Sequence, residues 1–186
     1  PIARLFKGEM VYTDLVLRPL LRENTFRQEG HHLEVGEDGT LTVSGIVYNE
    51  MKGAYSSAER VAESTTLQAL FPDTPYGVES GGHPDRIPDL TYEGFREFHR
   101  RFYSPSNCRV FFYGNIATAD HLTFLAGQLG EFARLEVDSA VAEQARWTAP
   151  RPVQACYPAG PDESLERKTT VNIAWLTAPM GDSAER

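Results

Sequence analysis

The sequence predicts an α+β fold in which amphipathic helices alternate with a few short strands. Apolar side chains recur at helical spacing in several separate segments, and runs typical of strands occur at 26–35, 108–115 and 168–178. With 186 residues, 41% of them apolar, the chain is long enough to bury a core and to form one domain with part of another.

The first predicted elements are a helix and a strand. The helix spans residues 3–21 and ends near Pro19, whose ring and missing N–H close or bend a helix. Its apolar positions are Leu5, Phe6, Tyr12, Leu15, Val16 and Leu20. The strand runs from Phe26 to Val35, and the sequence GEDG at 36–39 predicts a turn after it.

Three helices are predicted in the middle of the chain. The first carries an apolar stripe formed by Val43, Ile46, Val47 and Ala54. Either Ser56 or Ser57 is placed to cap the second helix, over residues 58–71. A stretch dense in proline and glycine follows and is predicted to be irregular. Thr91 is then placed to cap the third helix, which ends at 104–105.

The rest of the chain combines strand patterns with a linker. The continuous apolar run CRVFFYGN at 108–115 predicts a strand covered on both faces, and Thr118 is placed to cap the next helix. Residues 136–167 carry four prolines and little periodicity, which is typical of an extended linker. Residues 168–178 alternate like a strand that has no visible partner after it.

Charge and cysteine content exclude several classes of function. The chain carries 18 basic and 26 acidic side chains, so its formal charge of −8 would repel phosphate backbones and anionic lipid. Nucleic acid is therefore not an expected partner. No apolar run approaches the roughly 18 residues of a membrane span, so no membrane association is expected. Cys108 and Cys156 stand alone, which indicates neither a disulfide framework nor a cysteine zinc site.

Glu50 is the most unusual residue of the pattern, because helical spacing places it on the apolar stripe with Ile46 and Val47. A buried ionised carboxylate costs several kcal/mol unless a cation, hydrogen bonds or a proton compensates it. An ion pair to an arginine or a snorkelling side chain satisfies this requirement, and so does a metal ligand or an acid/base group. Periodicity by itself favours the ion pair and does not decide.

The histidines offer no complete site. His31 and Glu34 match positions one and four of an HxxEH zinc motif, but Val35 stands where the second histidine belongs, and the segment is predicted to be a strand. A surface or cross-strand role is therefore favoured over metal binding. The other histidines are interpreted as a loop residue (His83), part of a solvated basic helix face (His99) and a turn residue near a helix start (His121).

Long ordered strings in the sequence nevertheless resemble a known family. These strings are TFRQEGHHLE, GIVYNEMKGAYSS and ALFPDTPYGVESGGHPDRIPDLTYEGFREFHRRFYSPSNCRVFFYGN. In order and spacing they are similar to the presequence-protease branch of the insulinase-like (M16) zinc metallopeptidases, densely over residues 25–115. The resemblance implies paired α/β domains, each a largely antiparallel sheet packed with helices, that close around a chamber.

The resemblance also implies a zinc site. The family holds zinc with two histidines of an HxxEH motif and a glutamate roughly 70 to 100 residues further on. That glutamate lies in the NEMKG string, which makes Glu50 the implied third zinc ligand. The HxxEH motif, including its general-base glutamate, would then precede Pro1. The implied domains are residues 1–135 as the C-terminal part of the catalytic domain, 136–167 as a linker and 168–186 as the first strand of a second domain.

The implied function is that of a fragment of a zinc-dependent metalloendopeptidase that degrades unstructured oligopeptides and is inactive alone. Its expected partners are peptide substrates, bound as an added β-strand, and the remaining domains of the parent chain. The alternative is a non-catalytic M16-like subunit or a peptide-binding module. A bacterial parent is expected in the cytoplasm and a eukaryotic one in an organellar matrix.

Overall fold

A computed structural model describes residues 2–178, with side chains described from Lys7 onward. The chain divides into two compact units, one built from the residues up to Phe26 with Leu90–Ala140, the other from Arg27–Asp89 with the residues from Val141 onward. Helices and a small antiparallel sheet are both present, which confirms the α+β class.

Within the described residues there are six α-helices and two strands. In chain order the helices are α1 (Ile2–Leu17), α2 (Glu23–Glu29), α3 (Ile46–Ala54), α4 (Ala58–Leu70), α5 (Tyr92–Phe102) and α6 (Thr118–Leu129), and the strands are β1 (His32–Val35) and β2 (Leu41–Ser44). The predicted first helix, the consecutive pair α3 and α4, and the helix before 104–105 are therefore confirmed.

Two of the three predicted helix caps are present. The Ser57 side chain accepts a hydrogen bond from the Arg60 N–H at the start of α4, and Thr91 accepts one from the Gly94 N–H at the start of α5. The prediction for Thr118 is wrong, because Thr118 is already the first residue of α6 and Ala117 occupies the capping position without a side-chain bond.

Side chains of α5 hold the first unit together. The Tyr92 hydroxyl donates to the Leu21 carbonyl at 2.6 Å, and the Nε2 atom of His99 lies 2.9 Å from the Val16 carbonyl. The imidazole of His99 also stacks on the Tyr103 ring, with centroids 4.6 Å apart. His99 is half-buried, so its interpretation as part of a solvated basic face is wrong.

The second unit begins with a β-hairpin. Strands β1 and β2 pair antiparallel, with Leu33 opposite Val43. The predicted GEDG turn joins them, and the Asp38 carboxylate accepts hydrogen bonds from the hydroxyl of Thr40 at 2.7 Å and from its N–H at 3.0 Å. These two bonds, the hydroxyl bond first, hold the pKa of Asp38 below its ordinary value.

The hairpin corrects two sequence predictions. The strand predicted from Phe26 begins only at His32, because Phe26 lies in α2. Val43, expected on the helical stripe, belongs to β2 instead, and α3 begins only after Gly45. The φ of Gly45 is 152°, a value that residues with a side chain strongly disfavour and that glycine tolerates. Strand β2 ends just before this residue.

Neither of the two later predicted strands forms in the described residues. Residues 108–115 have no strand pairing, and Phe111 and Tyr113 are 86% and 96% exposed. Residues 168–178 are likewise unpaired, and Ile173 and Trp175 are exposed. Both predictions are wrong for the described chain, since an apolar run becomes a strand only when another strand pairs with it. Residues 179–186, which the implied second domain also includes, lie outside the described residues.

The predicted linker lacks helix and strand, as expected, yet part of it packs on α4 within the second unit. The buried side-chain amide of Gln144 donates to the Asp73 carboxylate at 2.9 Å. The Trp147 indole N–H lies 3.3 Å from the Leu70 carbonyl, and Arg151 donates to the Ala69 carbonyl at 3.0 Å. Residues 144–151 are therefore ordered against the end of α4.

The apolar core of the described residues is small. Met51 and Ile87, both in the second unit, are the buried apolar side chains among them. The length and composition predicted a larger core, and most large apolar side chains of the described chain instead remain exposed.

Substituting Gly45 with alanine tests the junction between hairpin and α3. A Cβ at Gly45 would collide with the Gly30 carbonyl and lie 2.8 Å from the His31 Cα, and φ there is strained for any side chain. We expect Gly45→Ala to lower the free energy of unfolding by more than about 1 kcal/mol. Urea unfolding followed by circular dichroism measures this change.

Gly127→Ala is the matched control. A Cβ at Gly127 in α6 meets nothing within 4 Å, so this change should be neutral or stabilise by about 0.5–1 kcal/mol. Equal effects of the two substitutions would contradict the tight junction at Gly45.

Candidate metal-ligand site

Glu50 lies in α3, and the β-hairpin sets where this helix starts. The close approach of Gly45 to Gly30 lets the Tyr48 N–H reach the Gly30 carbonyl at 3.3 Å, while the Asn49 N–H bonds the Gly45 carbonyl at 2.9 Å. The first turn of α3 is thereby tied to the chain that enters β1, which gives the helix a fixed base.

The face of α3 that carries Glu50 is open. Ile46 and Val47 lie on this face at helical spacing from Glu50, and they are 54% and 37% exposed. Glu50 is itself exposed, and a Cβ at Gly53 on the same face would meet nothing within 4 Å. We call this surface, made of Ile46, Val47, Glu50 and Gly53, the α3 face.

The structure corrects the expectation that Glu50 is buried. The helical period correctly groups Glu50 with Ile46 and Val47, but the described chain covers this face only in part and leaves Glu50 exposed. Glu50 takes part in no ion pair among the described residues, so the ion-pair interpretation gains no support there. What remains is an exposed carboxylate on a partly exposed apolar surface.

The other side of α3 is packed. Met51 is 6% exposed and lies so close to Gly81 that a Cβ there would be 2.5 Å from the Met51 sulfur. Tyr55, which follows the helix, meets the ring of His83 edge-on at 4.5 Å, and its hydroxyl lies 2.8 Å from the Ser64 hydroxyl in α4. The segment that contains Gly81 and His83 therefore supports α3 from behind.

The glycines in the sequence YGVESGG have a packing role. A Cβ at Gly77 would collide with the Phe71 backbone, 2.9 Å from its carbonyl carbon, and Gly82 has a positive φ of 87° beside Ile87. At Gly77 the absence of a side chain therefore allows a close approach of two backbone segments. We call residues 76–83 the support loop.

The HHLE segment behaves as a surface strand. The Nδ1 atom of His32 lies 2.9 Å from the Arg27 carbonyl, and its Nε2 atom lies 3.2 Å from the Glu34 carboxylate on the same side of β1. Both contacts are local, as expected for a strand and not for an HxxEH helix. Within residues 2–178, no three His, Cys, Asp or Glu side chains come close enough together to hold a metal ion.

His121 differs from its interpretation as a turn residue, and the ion pair between Arg60 and Glu79 was not predicted. His121 does lie in the first turn of α6, but it is buried and stacks on the Phe112 ring at 4.0 Å. Arg60 of α4 forms an ion pair with Glu79 of the support loop. Sequence analysis missed this pair, since the residues are 19 positions apart and only their opposite charges connect them.

Comparison with known proteins places the chain in a family. The family model for the peptidase M16 inactive domain matches residues 89–185, which is more than half of the 186 residues. The chain belongs to the peptidase M16 family. Glu50 and the α3 face lie before the matched region, whose start nearly coincides with the point where the chain re-enters the first unit at Leu90.

Relatives within the M16 family carry protease names. The chain is 40% identical over 181 residues to the mitochondrial presequence protease of Xenopus laevis, covering 94% of this chain and 18% of the relative. It is 39% identical over 171 residues to presequence protease 1, chloroplastic/mitochondrial, of Arabidopsis thaliana, covering 89% of this chain and 16% of the relative. These matches confirm the resemblance to the presequence-protease branch.

A bacterial relative matches about equally well. Protein HypA of Clostridium perfringens is 38% identical over 179 residues, covering 94% of this chain and 18% of the relative. The chain thus spans less than a fifth of the length of these relatives. Among the described helices, none combines the length and apolarity needed to cross a bilayer.

The geometry predicts that the 186-residue chain alone binds zinc weakly. Its α3 face offers one carboxylate, whereas stable zinc sites use three or four protein ligands. After incubation with zinc and exhaustive dialysis, we expect well under one zinc per chain by elemental analysis, and the same value for Glu50→Gln. One tightly held zinc per chain that survives Glu50→Gln would contradict this account, because it would place a zinc site elsewhere.

Proposed function

We propose that the chain is part of the catalytic N-terminal half of a zinc-dependent metalloendopeptidase that degrades unstructured oligopeptides. The observation that carries the proposal is the α3 face, where an exposed carboxylate stands on a partly exposed apolar surface. Membership of the M16 family and the presequence proteases among its relatives support the peptidase assignment. Peptides would bind as an added β-strand.

Glu50 is the proposed third zinc ligand, and its surroundings suit that role. A carboxylate oxygen is a common zinc ligand, and a helix anchored at Gly45 and Met51 holds it on a rigid support. The remaining ligands would come from an HxxEH motif roughly 70 to 100 residues before Glu50. That segment would also cover Ile46 and Val47.

The contribution of this chain to the reaction is electrostatic and steric. Zinc, when bound, supplies Lewis-acid chemistry for peptide hydrolysis. Glu50 would supply one oxygen ligand and a negative charge that partly offsets the charge of the cation. Ile46 and Val47, once covered, would keep water away from the carboxylate and so strengthen its interaction with a cation. The general base would lie on the HxxEH motif.

The proposed domain boundaries follow the sequence. Residues 1–135 would be the C-terminal part of the catalytic domain, 136–167 a linker, and 168–186 the first strand of a second M16-like domain. The chain alone would be inactive because it lacks the HxxEH motif. The proposed location is the bacterial cytoplasm or an organellar matrix.

Replacing Glu50 in the full-length parent tests the proposal. We expect Glu50→Gln to lose zinc and peptidase activity together while the protein remains folded, because an amide is a poor substitute for a charged ligand. Zinc affinity should fall by more than about 100-fold, beyond the 10–100-fold typical of residues behind the ligands. Elemental analysis and cleavage of an unstructured peptide measure the two losses.

The matched control is Glu59→Gln, an exposed carboxylate in the first turn of α4. This variant should keep its zinc and its activity. If Glu50→Gln retained zinc at full occupancy, Glu50 would not be a ligand.

A non-catalytic M16-like subunit or peptide-binding module is the second candidate. The matching family model is that of an inactive domain, and the described residues contain no complete metal site. The parent sequence decides between the two, since an intact HxxEH motif before Glu50 supports the enzyme. A missing or degenerate motif would favour the non-catalytic subunit.

A further inference from the structure

We propose that Arg60 and Glu79 are positioning residues, whose ion pair holds the support loop against α3 and thereby sets the orientation of the Glu50 carboxylate. The inference rests on the proposed function of Glu50 as a ligand. Neither residue lies on the α3 face, so each would act through the packing behind the helix.

The ion pair joins α4 to the support loop. One terminal nitrogen of Arg60 contacts a carboxylate oxygen of Glu79, and the other terminal nitrogen lies 3.0 Å from Glu63 on the same helix. The Glu79 side chain is 18% exposed, whereas Glu63 is 62% exposed. Solvent therefore screens the Glu63 contact more strongly than the Glu79 contact.

The second oxygen of Glu79 faces the next residues of the support loop. It lies 3.4 Å from the Ser80 hydroxyl and 3.5 Å from the Gly81 N–H. Gly81 in turn packs on Met51, whose sulfur would lie 2.5 Å from a Cβ at Gly81. A continuous set of contacts thus runs from Arg60 through Glu79 and Gly81 to the residue next to Glu50.

A second connection reaches the end of α3. His83, at the end of the support loop, meets the ring of Tyr55, and Tyr55 shares a hydrogen bond with Ser64 of α4. Met51 and Tyr55 follow Glu50 by one and five positions, which places them about 100° and 140° around the helix from Glu50. The support loop and α4 therefore hold α3 at two points while leaving Glu50 open.

Loss of the ion pair should affect zinc and the chemical step more than substrate binding. A displacement of about 1 Å at a catalytic group can cost about 100-fold in rate. Because Arg60 and Glu79 would touch neither peptide nor metal, the KM for peptide should stay nearly constant. A residue that only stabilises the fold would change neither zinc affinity nor kcat at a temperature where the protein is fully folded.

The test uses the full-length parent with Arg60→Gln, Glu79→Gln and the double variant. We expect each single variant to weaken zinc about 10–100-fold, as is typical of residues behind metal ligands, and to lower kcat with little change in KM. The double variant should resemble the singles, because all three remove the same contact. Glu63→Gln, which breaks only the exposed partner of Arg60, should stay within about twofold of wild type.

Two further variants cover the case in which loss of the ion pair prevents folding. Gly81→Ala keeps both charges but requires the Met51 side chain to shift, and Arg60→Lys keeps the charge without the guanidinium geometry. Both should weaken zinc, with Arg60→Lys retaining more affinity than Arg60→Gln. Wild-type zinc affinity and kcat in folded Gly81→Ala and Arg60→Lys would overturn the inference.

The Glu50→Gln variant distinguishes failure of the positioning role from failure of the proposed function. If Glu50→Gln loses zinc while the positioning variants keep it, Glu50 is a ligand that Arg60 and Glu79 do not position. If Glu50→Gln keeps its zinc, both the ligand assignment and the positioning role are wrong.

Discussion

An apolar surface stabilises a fold only when something covers it, and this constraint governs most of the chain. Burial of apolar surface stabilises the fold by about 25 cal/mol for each Å² removed from water. An exposed apolar side chain does not contribute this free energy. Ile46 on α3, Tyr113 after α5 and Trp175 near the end of the described residues all lie exposed. Since the chain spans less than a fifth of the length of these relatives, the proposed further domains would supply the missing contacts.

The second unit shows how α3 keeps its place with few buried apolar side chains. Gly45 allows a close approach to the Gly30 backbone, and Gly81 allows a close approach to the Met51 sulfur. Tyr55 adds a hydrogen bond to Ser64 of α4, and Arg60 of α4 pairs with Glu79 of the support loop. Close contacts at glycines and short polar contacts therefore hold α3 in place, as a larger apolar core does in other proteins. The helix is consequently fixed on one side and open on the side of Glu50.

Local signals made part of this fold predictable. The caps Ser57 and Thr91 and the turn around Asp38 each depend on bonds that span two or three residues, so the sequence contains both partners. The strands predicted at 108–115 and 168–178 failed because pairing depends on a distant segment.

Similar limits apply to the candidate site. Helical periodicity identified the face that carries Glu50 but not whether that face is covered, which depends on other parts of the structure. Val43 was misassigned because a short apolar run fits either period, and the Arg60–Glu79 pair left no pattern to detect. The assignment of Glu50 as a zinc ligand came from the family resemblance and not from the residue pattern.

The most direct measurement of the central claim is an anomalous difference map recorded at the zinc absorption edge on crystals of the full-length parent. The account predicts one peak about 2.0–2.2 Å from a carboxylate oxygen of Glu50, which is the distance of a zinc–carboxylate bond. A zinc peak whose ligands do not include Glu50 would contradict it.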